Sequence, residues 1–257
     1  MSRLEASLES VALLGPGLPD WETARAVLAG ERPYEPAPTQ VPPPALLPAN
    51  ERRRSGQAVR VALAVGAPPA GGIATVFASS TADGDNCHAI CEQLAGEDRL
   101  ISPTRFHNSV HNAPAGYWSI ATRDMHPSTS LCAYDGSFAA GLLEACALVR
   151  ERREPVLLIA YDATYPEPLR AKRPVPDAFG AGLVLAPSRG VHSLGNLAVA
   201  LSAEPPRPLA DPPLEAMRAA IPTARCLPLL ALLARRESGT AILEYLDGLS
   251  LAVTAAP

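Results

Sequence analysis

Long apolar runs, aromatic rings and clustered positive charge are all scarce in this 257-residue chain, and each scarcity excludes something. The first apolar run, at 11–14, stops at Gly15-Pro16. It is too short for a membrane span or for the core of a secretion signal, so no membrane partner is expected. Aromatics supply 5% of the residues, so Ala, Val and Leu must fill the core that a 47% hydrophobic composition makes possible. No basic stripe offsets the formal charge of -4, and no nucleic-acid partner is expected. The triplet Arg52-Arg53-Arg54 reads as a solvated helix start. The five cysteines follow no export signal, so they read as reduced thiols in a cytoplasmic protein.

What is present suits one large domain. Apolar runs at 11–14, 73–79, 129–134, 156–161, 181–186 and 197–201 read as strands. Residues 241–246 and 249–253 read as a hairpin around Asp247-Gly248. Helices are expected at 21–30 behind Asp20 as a cap, and at 58–65, 86–95, 115–121, 137–150, 214–220 and 227–234; a further one starts at Pro103. Seven prolines in 33–48 forbid regular structure there and leave an extended surface wrap. The alternation of strand and helix gives an α/β class with a mixed sheet.

The stretch with chemical interest is Ser128-Thr129-Ser130-Leu131-Cys132-Ala133-Tyr134-Asp135-Gly136-Ser137-Phe138. A strand meets a sharp turn, and a long Ala/Leu helix follows. Such an elbow can present a nucleophile to a helix N-terminus, where free N–H groups and the positive dipole end favour an anion. The helix is apolar nearly all round, with Glu144 its only charge before Arg150, so it should be buried centrally. In the plainer reading, Asp135 caps the helix.

The block Pro103-Thr104-Arg105-Phe106, then Asn108 to Gly116, then Pro127-Ser128 and the elbow, resembles the N-terminal half of β-ketoacyl synthases. The resemblance runs from Val11 through Ala186 and is specific over 101–148. It implies an α/β thiolase-like fold, layered α-β-α-β-α in the complete enzymes, with residues 1–203 as the synthase-like half. Residues 204–257 would be a shortened C-terminal segment packed on the same domain. These enzymes join a cysteine-bound acyl group to a malonyl unit on acyl carrier protein.

Two departures follow from the resemblance. Eight residues on from Pro127, the family's nucleophilic cysteine falls on Asp135, and a carboxylate does not replace a thiolate in thioester exchange. Cys132 lies three residues earlier and is expected in the strand as a packed thiol. The family's second half also brings histidines and lysine, whereas after Gly190 this chain has His192 alone and no lysine; its one lysine is Lys172. The resemblance therefore implies no catalytic residue. It implies a chain-length-factor-type subunit that pairs with a full-length ketosynthase and meets acyl carrier protein through that complex, in polyene or polyketide synthesis. Thr129, Ser130, Leu131, Cys132, Ala133, Tyr134 and Phe138 become candidates for interface or acyl-tunnel wall. His111 and Asn112 would support the elbow or lie near the interface. Two other readings stay open: a hydrolase or acyltransferase using Cys132 or Ser137, and a stand-alone module that binds acyl carrier protein.

Competing motifs are weaker. Cys87-x3-Cys91 and His107-x3-His111, fifteen residues apart, approach zinc-finger spacing, but Pro103 falls inside the span. Buried thiols and structural imidazoles are expected instead, with no metal and no cofactor. Asp83-Gly84-Asp85-Asn86 resembles a calcium loop, yet the positions needing glycine and glutamate hold His88 and Leu94, so a polar helix cap is expected. Gly66 and Gly71-Gly72 read as turns. His111, Asp135 and Ser137 have no spacing that marks a triad.

Overall fold

In the computed structural model, which describes residues 3–66, 72–191 and 193–257, the chain begins with an eleven-residue strand, β1 (Leu4–Leu14). The run expected at 11–14 is only its end. Glu5 and Glu9 hid the start, because β1 alternates there between polar positions and the buried Ala6 and Leu8. Helix α1 (Trp21–Leu28) follows its cap, with Asp20 Oδ1 accepting from Thr23 N at 2.7 Å. The proline-rich stretch then wraps without helix or strand as far as α2 (Ala49–Arg54). The arginine triplet is the last turn of α2, not a helix start, and there it complements the negative end of the helix dipole.

The middle of the chain alternates as expected. Helix α3 (Gln57–Gly66) precedes β2 (Ala74–Ala78). Gly66 is the final residue of α3 rather than a turn, whereas Pro68, Pro69 and Gly71 lie outside the described residues. Then come α4 (Gly84–Ala95), α5 (Pro103–Asn108), α6 (Ala113–Thr122) and a short β3 (Ser128–Leu131). Helix α7 (Ser137–Arg152) leads to β4 (Val156–Asp162), a single-turn α8 (Leu169–Lys172) and β5 (Phe179–Ala186). The chain continues through β6 (Gly195–Ser202), α9 (Pro212–Ala220), a 3-10 turn at Thr223–Cys226, and α10 (Leu227–Arg235). The hairpin β7 (Gly239–Leu246) and β8 (Leu249–Ala256) follows, with Gly248 at φ +68 in its turn.

Among the described residues, eight strands form one sheet in the order β3-β2-β4-β5-β1-β6-β8-β7. The β3-β2-β4 end is parallel and the rest antiparallel. Helices cover both faces. On one side α1, α7, α9 and α10 pack on residues such as Val76, Leu158 and Leu183. On the other, α3 and α6 cover Phe77, Ile159 and Tyr161. Strands β4 and β5 are buried at every residue, which is why their sequences run apolar without alternation. Glycines set the closest approaches. A Cβ on Gly182 of β5 would meet the Val65 carbonyl at 2.0 Å, and one on Gly141 of α7 would meet Ala78 at 2.7 Å.

This is an α-β-α arrangement with a single sheet. Helix α7 accordingly has one covered face: Phe138, Leu142, Ala145, Cys146 and Val149 are buried, whereas Leu143, Ala147 and Leu148 are half-buried. Its all-round apolar character therefore exceeds what this sheet alone encloses.

Candidate functional site: the elbow before helix α7

Strand β3 ends at Leu131, three residues earlier than expected, because the chain turns as soon as its last pairing with Ala78 is made. Cys132 therefore leaves the sheet. It is exposed rather than packed, with its thiol free. The turn is held by Ser137, whose hydroxyl donates to the Tyr134 carbonyl at 2.6 Å and accepts from Ala133 N at 3.0 Å. Ser137 is buried, and its proton is committed to the backbone, so it braces the turn instead of facing a substrate. Tyr134 adopts φ +49, a left-handed conformation costing ~1 kcal/mol or more for a residue with a Cβ. Its ring offsets that cost by lying under the Arg173 guanidinium, 3.7 Å from the ring centroid.

Asp135 does not cap α7. The N-cap is Gly136, and no side chain caps that end. The carboxylate instead turns to two arginines distant in sequence. Arg173 Nη2 donates to Oδ1 at 2.6 Å, and Arg225 Nη2 donates to Oδ2 at 3.0 Å. All three side chains are part-buried, with a third of Asp135 still exposed. Each carboxylate oxygen thus accepts a charge-assisted hydrogen bond, which anchors the side chain between the two arginines. Arg173 also donates to Ser80 Oγ at 2.6 Å, which ties the clamp to the loop after β2.

Gly136 is where the C-terminal hairpin meets the elbow. A Cβ there would lie 1.9 Å from the Tyr245 carbonyl, so only glycine allows β7 to approach the start of α7 this closely. Beside that contact opens a cleft of about 530 Å³, lined by residues 133–136, 203–206 and 244–250 together with Arg225. Glu204, Glu244 and Asp247 make its far wall acidic. Glu244 itself pairs with the nearly buried Arg218, which also holds Glu215 at 2.7 Å and so ties α9 to β7. The Arg218 guanidinium holds the Glu215 carboxyl below its usual range.

The other candidates are dispersed. Phe138 lies in the chain's own core, and Tyr134 is well exposed. Thr129, Ser130 and Leu131 are half-buried along β3, whose second edge has no strand partner among the described residues. His111 and Asn112 stand at the start of α6, which packs on the sheet face opposite α7. Among the described residues neither makes a side-chain hydrogen bond to the elbow, and His111 Nε2 is buried without a partner. Cys87 and Cys91 are exposed on α4, contrary to the expectation of buried thiols, because the outer side of this twelve-residue helix meets solvent. No three His, Cys, Asp or Glu side chains come within metal-binding reach among the described residues. Asp83 accepts from Asn86 N at 3.1 Å and caps α4 as expected. His192 lies outside the described residues. Sequence reasoning missed Arg173 and Arg225, and also Asp162, whose one signal was a charged residue ending the apolar run of β4.

Comparison with known proteins gives these features a context. A family profile described as "Beta-ketoacyl synthase, N-terminal domain" matches residues 24–238. No curated protein sequence matches the chain. A chain from the complex of the ketosynthase ApeO with its chain length factor ApeC, from Xenorhabdus doucetiae, superposes with a TM-score of 0.73 at 22% identity. That match covers 98% of this chain and 99% of the other. A chain of the ishigamide ketosynthase/chain length factor gives 0.69 at 12% identity, covering 97% and 98%. A chain from AntDE:AntF, in which a type II acyl-carrier protein is in complex with its ketosynthase, gives 0.71 at 11% identity, covering 99% of both. At these identities the likeness is one of fold. All three chains are spanned almost end to end, so the likeness of fold extends over the full length described here.

Proposed function

The chain belongs to the β-ketoacyl synthase family, through its N-terminal domain, and from that premise we propose that it is a noncatalytic, chain-length-factor-type subunit. It would pair with a full-length ketosynthase, help wall the acyl tunnel, and meet acyl carrier protein through the pair, in polyene, polyketide or fatty-acid-like synthesis in the cytoplasm. The observation that carries this reading is the state of the elbow. At the position matching the family's nucleophile stands Asp135, with both oxygens held by Arg173 and Arg225. After Gly190 the chain also has one histidine and no lysine to promote decarboxylation and condensation. We read residues 1–203 as the synthase-like half and 204–257 as a reduced remnant of the second.

The need for a partner is supported at the β3 end of the sheet. Strand β3 is the terminal strand, and among the described residues no strand pairs with its outer edge. Met125 and Tyr134, which flank it in the chain, and Ile120 of α6, which packs beside it, are exposed. Tyr134, Cys132 and the half-buried Thr129 to Leu131 are the side chains from which a tunnel wall or subunit contact would be built. Phe138 would shape it only from behind, through packing. Residues 111–112 would serve at the interface rather than through a hydrogen bond to the elbow.

Reconstitution tests the reading. A ketosynthase encoded beside this chain, mixed with it and supplied with acyl- and malonyl-carrier protein, should give condensed product, and Tyr134→Ala should shift product length. Condensation or thioester hydrolysis by the isolated chain would refute it. The hydrolase alternative retains only Cys132, since the Ser137 hydroxyl is occupied. Stoichiometric acylation of Cys132 would favour that alternative. Solubility as a monomer together with carrier-protein binding in isolation would favour a stand-alone module.

A further inference from the structure

Beneath the arginine clamp lies a second carboxylate. Asp162, the last residue of β4, is fully buried. Its Oδ1 accepts from Ser80 N and Thr81 N, both at 2.9 Å. Its Oδ2 accepts from Thr223 N at 2.8 Å and Thr223 Oγ1 at 2.7 Å. The two oxygens therefore grip two separate loops. One follows β2 and carries Ser80, whose hydroxyl takes a hydrogen bond from the same Arg173 Nη2 that holds Asp135. The other is the 3-10 turn at Thr223–Cys226, which carries Arg225.

We propose that Asp162 is the positioning residue of the clamp: by pinning both loops from inside the core it sets Arg173 and Arg225 around position 135. A carboxylate suits this role because it accepts on both sides, whereas an amide must turn its NH2 toward one set of donors. Asp162→Asn would therefore keep one loop and release the other. The inference concerns how this chain builds its elbow. It needs neither partner nor acyl substrate, so it stands or falls separately from the subunit role.

A reporter thiol reads the arginines directly. The exposed Cys87, Cys91 and Cys132 are changed to Ser, Asp135→Cys is introduced, and alkylation by iodoacetamide is followed against pH by intact mass. Cys146 and Cys226 remain silent, because burial pushes both thiols up. Glu204, Glu244 and Asp247 line the same cleft and oppose the arginines, but they do so equally in every variant. With Asp162 intact, the midpoint should lie below the ordinary thiol value of ~8.5. Asp162→Asn should raise it by roughly half a unit or more, about a twofold loss of thiolate at pH 7, and Thr223→Val should raise it by less. Leu28→Ala, a core truncation between α1 and α10, should lower the melting temperature without moving the midpoint. A folded Asp162→Asn protein with an unmoved midpoint would overturn the proposal, as would an equal shift in Leu28→Ala. Should Asp162→Asn fail to fold, an unmoved midpoint in folded Thr223→Val would overturn it.

Discussion

Restoring sulfur at position 135 separates the electrostatics of the elbow from its chemistry. In Asp135→Cys the new thiol faces two guanidiniums, whose nitrogens now lie 2.6 and 3.0 Å from the carboxylate oxygens. A cysteine is shorter, so each nitrogen would stand ~4–5 Å from the sulfur, an attraction of ~3–4 kcal/mol per pair at an effective dielectric of about 20. A third of the Asp135 side chain is exposed, and the cleft is lined by Glu204, Glu244 and Asp247, so most of that attraction is screened. A net ~1.5–3 kcal/mol remains, which lowers the thiol by ~1–2 units to roughly 6.5–7.5. Alkylation in the background free of exposed cysteines should therefore reach its midpoint near pH 7. The same protein, given acyl- and malonyl-carrier protein, should form no condensed product, because after Gly190 the chain still has a single histidine and no lysine. A midpoint at or above 8.5 would refute the clamp. Condensed product would refute the argument from missing groups.

Gly136→Ala should force the Tyr245 carbonyl, and with it the β7–β8 hairpin, off the elbow; a loss of ~2–4 kcal/mol in denaturant unfolding is expected, against a near-neutral result if the hairpin is loosely placed. Arg218→Ala strips both Glu215 and Glu244 of their partner in a nearly buried position and should cost ~3 kcal/mol, read as a fall in melting temperature. Asp124 gives a pH signature. Burial works against its charged form, yet the backbone N–H groups of His126 and Gly72 and the His126 ring outweigh that and hold the carboxyl at about 2. Its pKa is depressed on folding, so its contribution of ~1–2 kcal/mol is present above pH ~4 and is lost as pH falls from there through 2. Asp124→Asn should lower stability at neutral pH and flatten the acid limb of the stability curve over that window.

The fold was legible where local pattern decides it. Strands β4 and β5 announce burial on both faces by running apolar without alternation, and Asp247-Gly248 marks the closing hairpin. Asp20 and Asp83 sit where caps are needed. Polar residues misled the reading at β1, where Glu5 and Glu9 lie on the less buried positions of a strand paired on both sides. At the elbow, position 135 could be located from Pro127, but its surroundings could not. Arg173 is 38 residues away and Arg225 is 90, and nothing periodic in either neighbourhood signals that two loops converge there. A cap was the natural expectation for an aspartate before a helix, because local geometry offers free N–H groups. Two charged donors from distant loops proved the stronger attraction. Cys132 was assigned to a strand by the β-prone residues around it, whereas β3 stops when β2 has no further residue to pair with it.

The proposed function requires that this chain work as half of a pair. Its most direct test is the native mass, by light scattering after size exclusion, of material captured through a tag on this chain when it is co-expressed with a neighbouring ketosynthase. The account predicts a one-to-one complex that survives dilution and is broken by Met125→Glu at the β3 end. A tagged chain that elutes alone as a stable monomer, with the ketosynthase running separately as its own dimer, would contradict it.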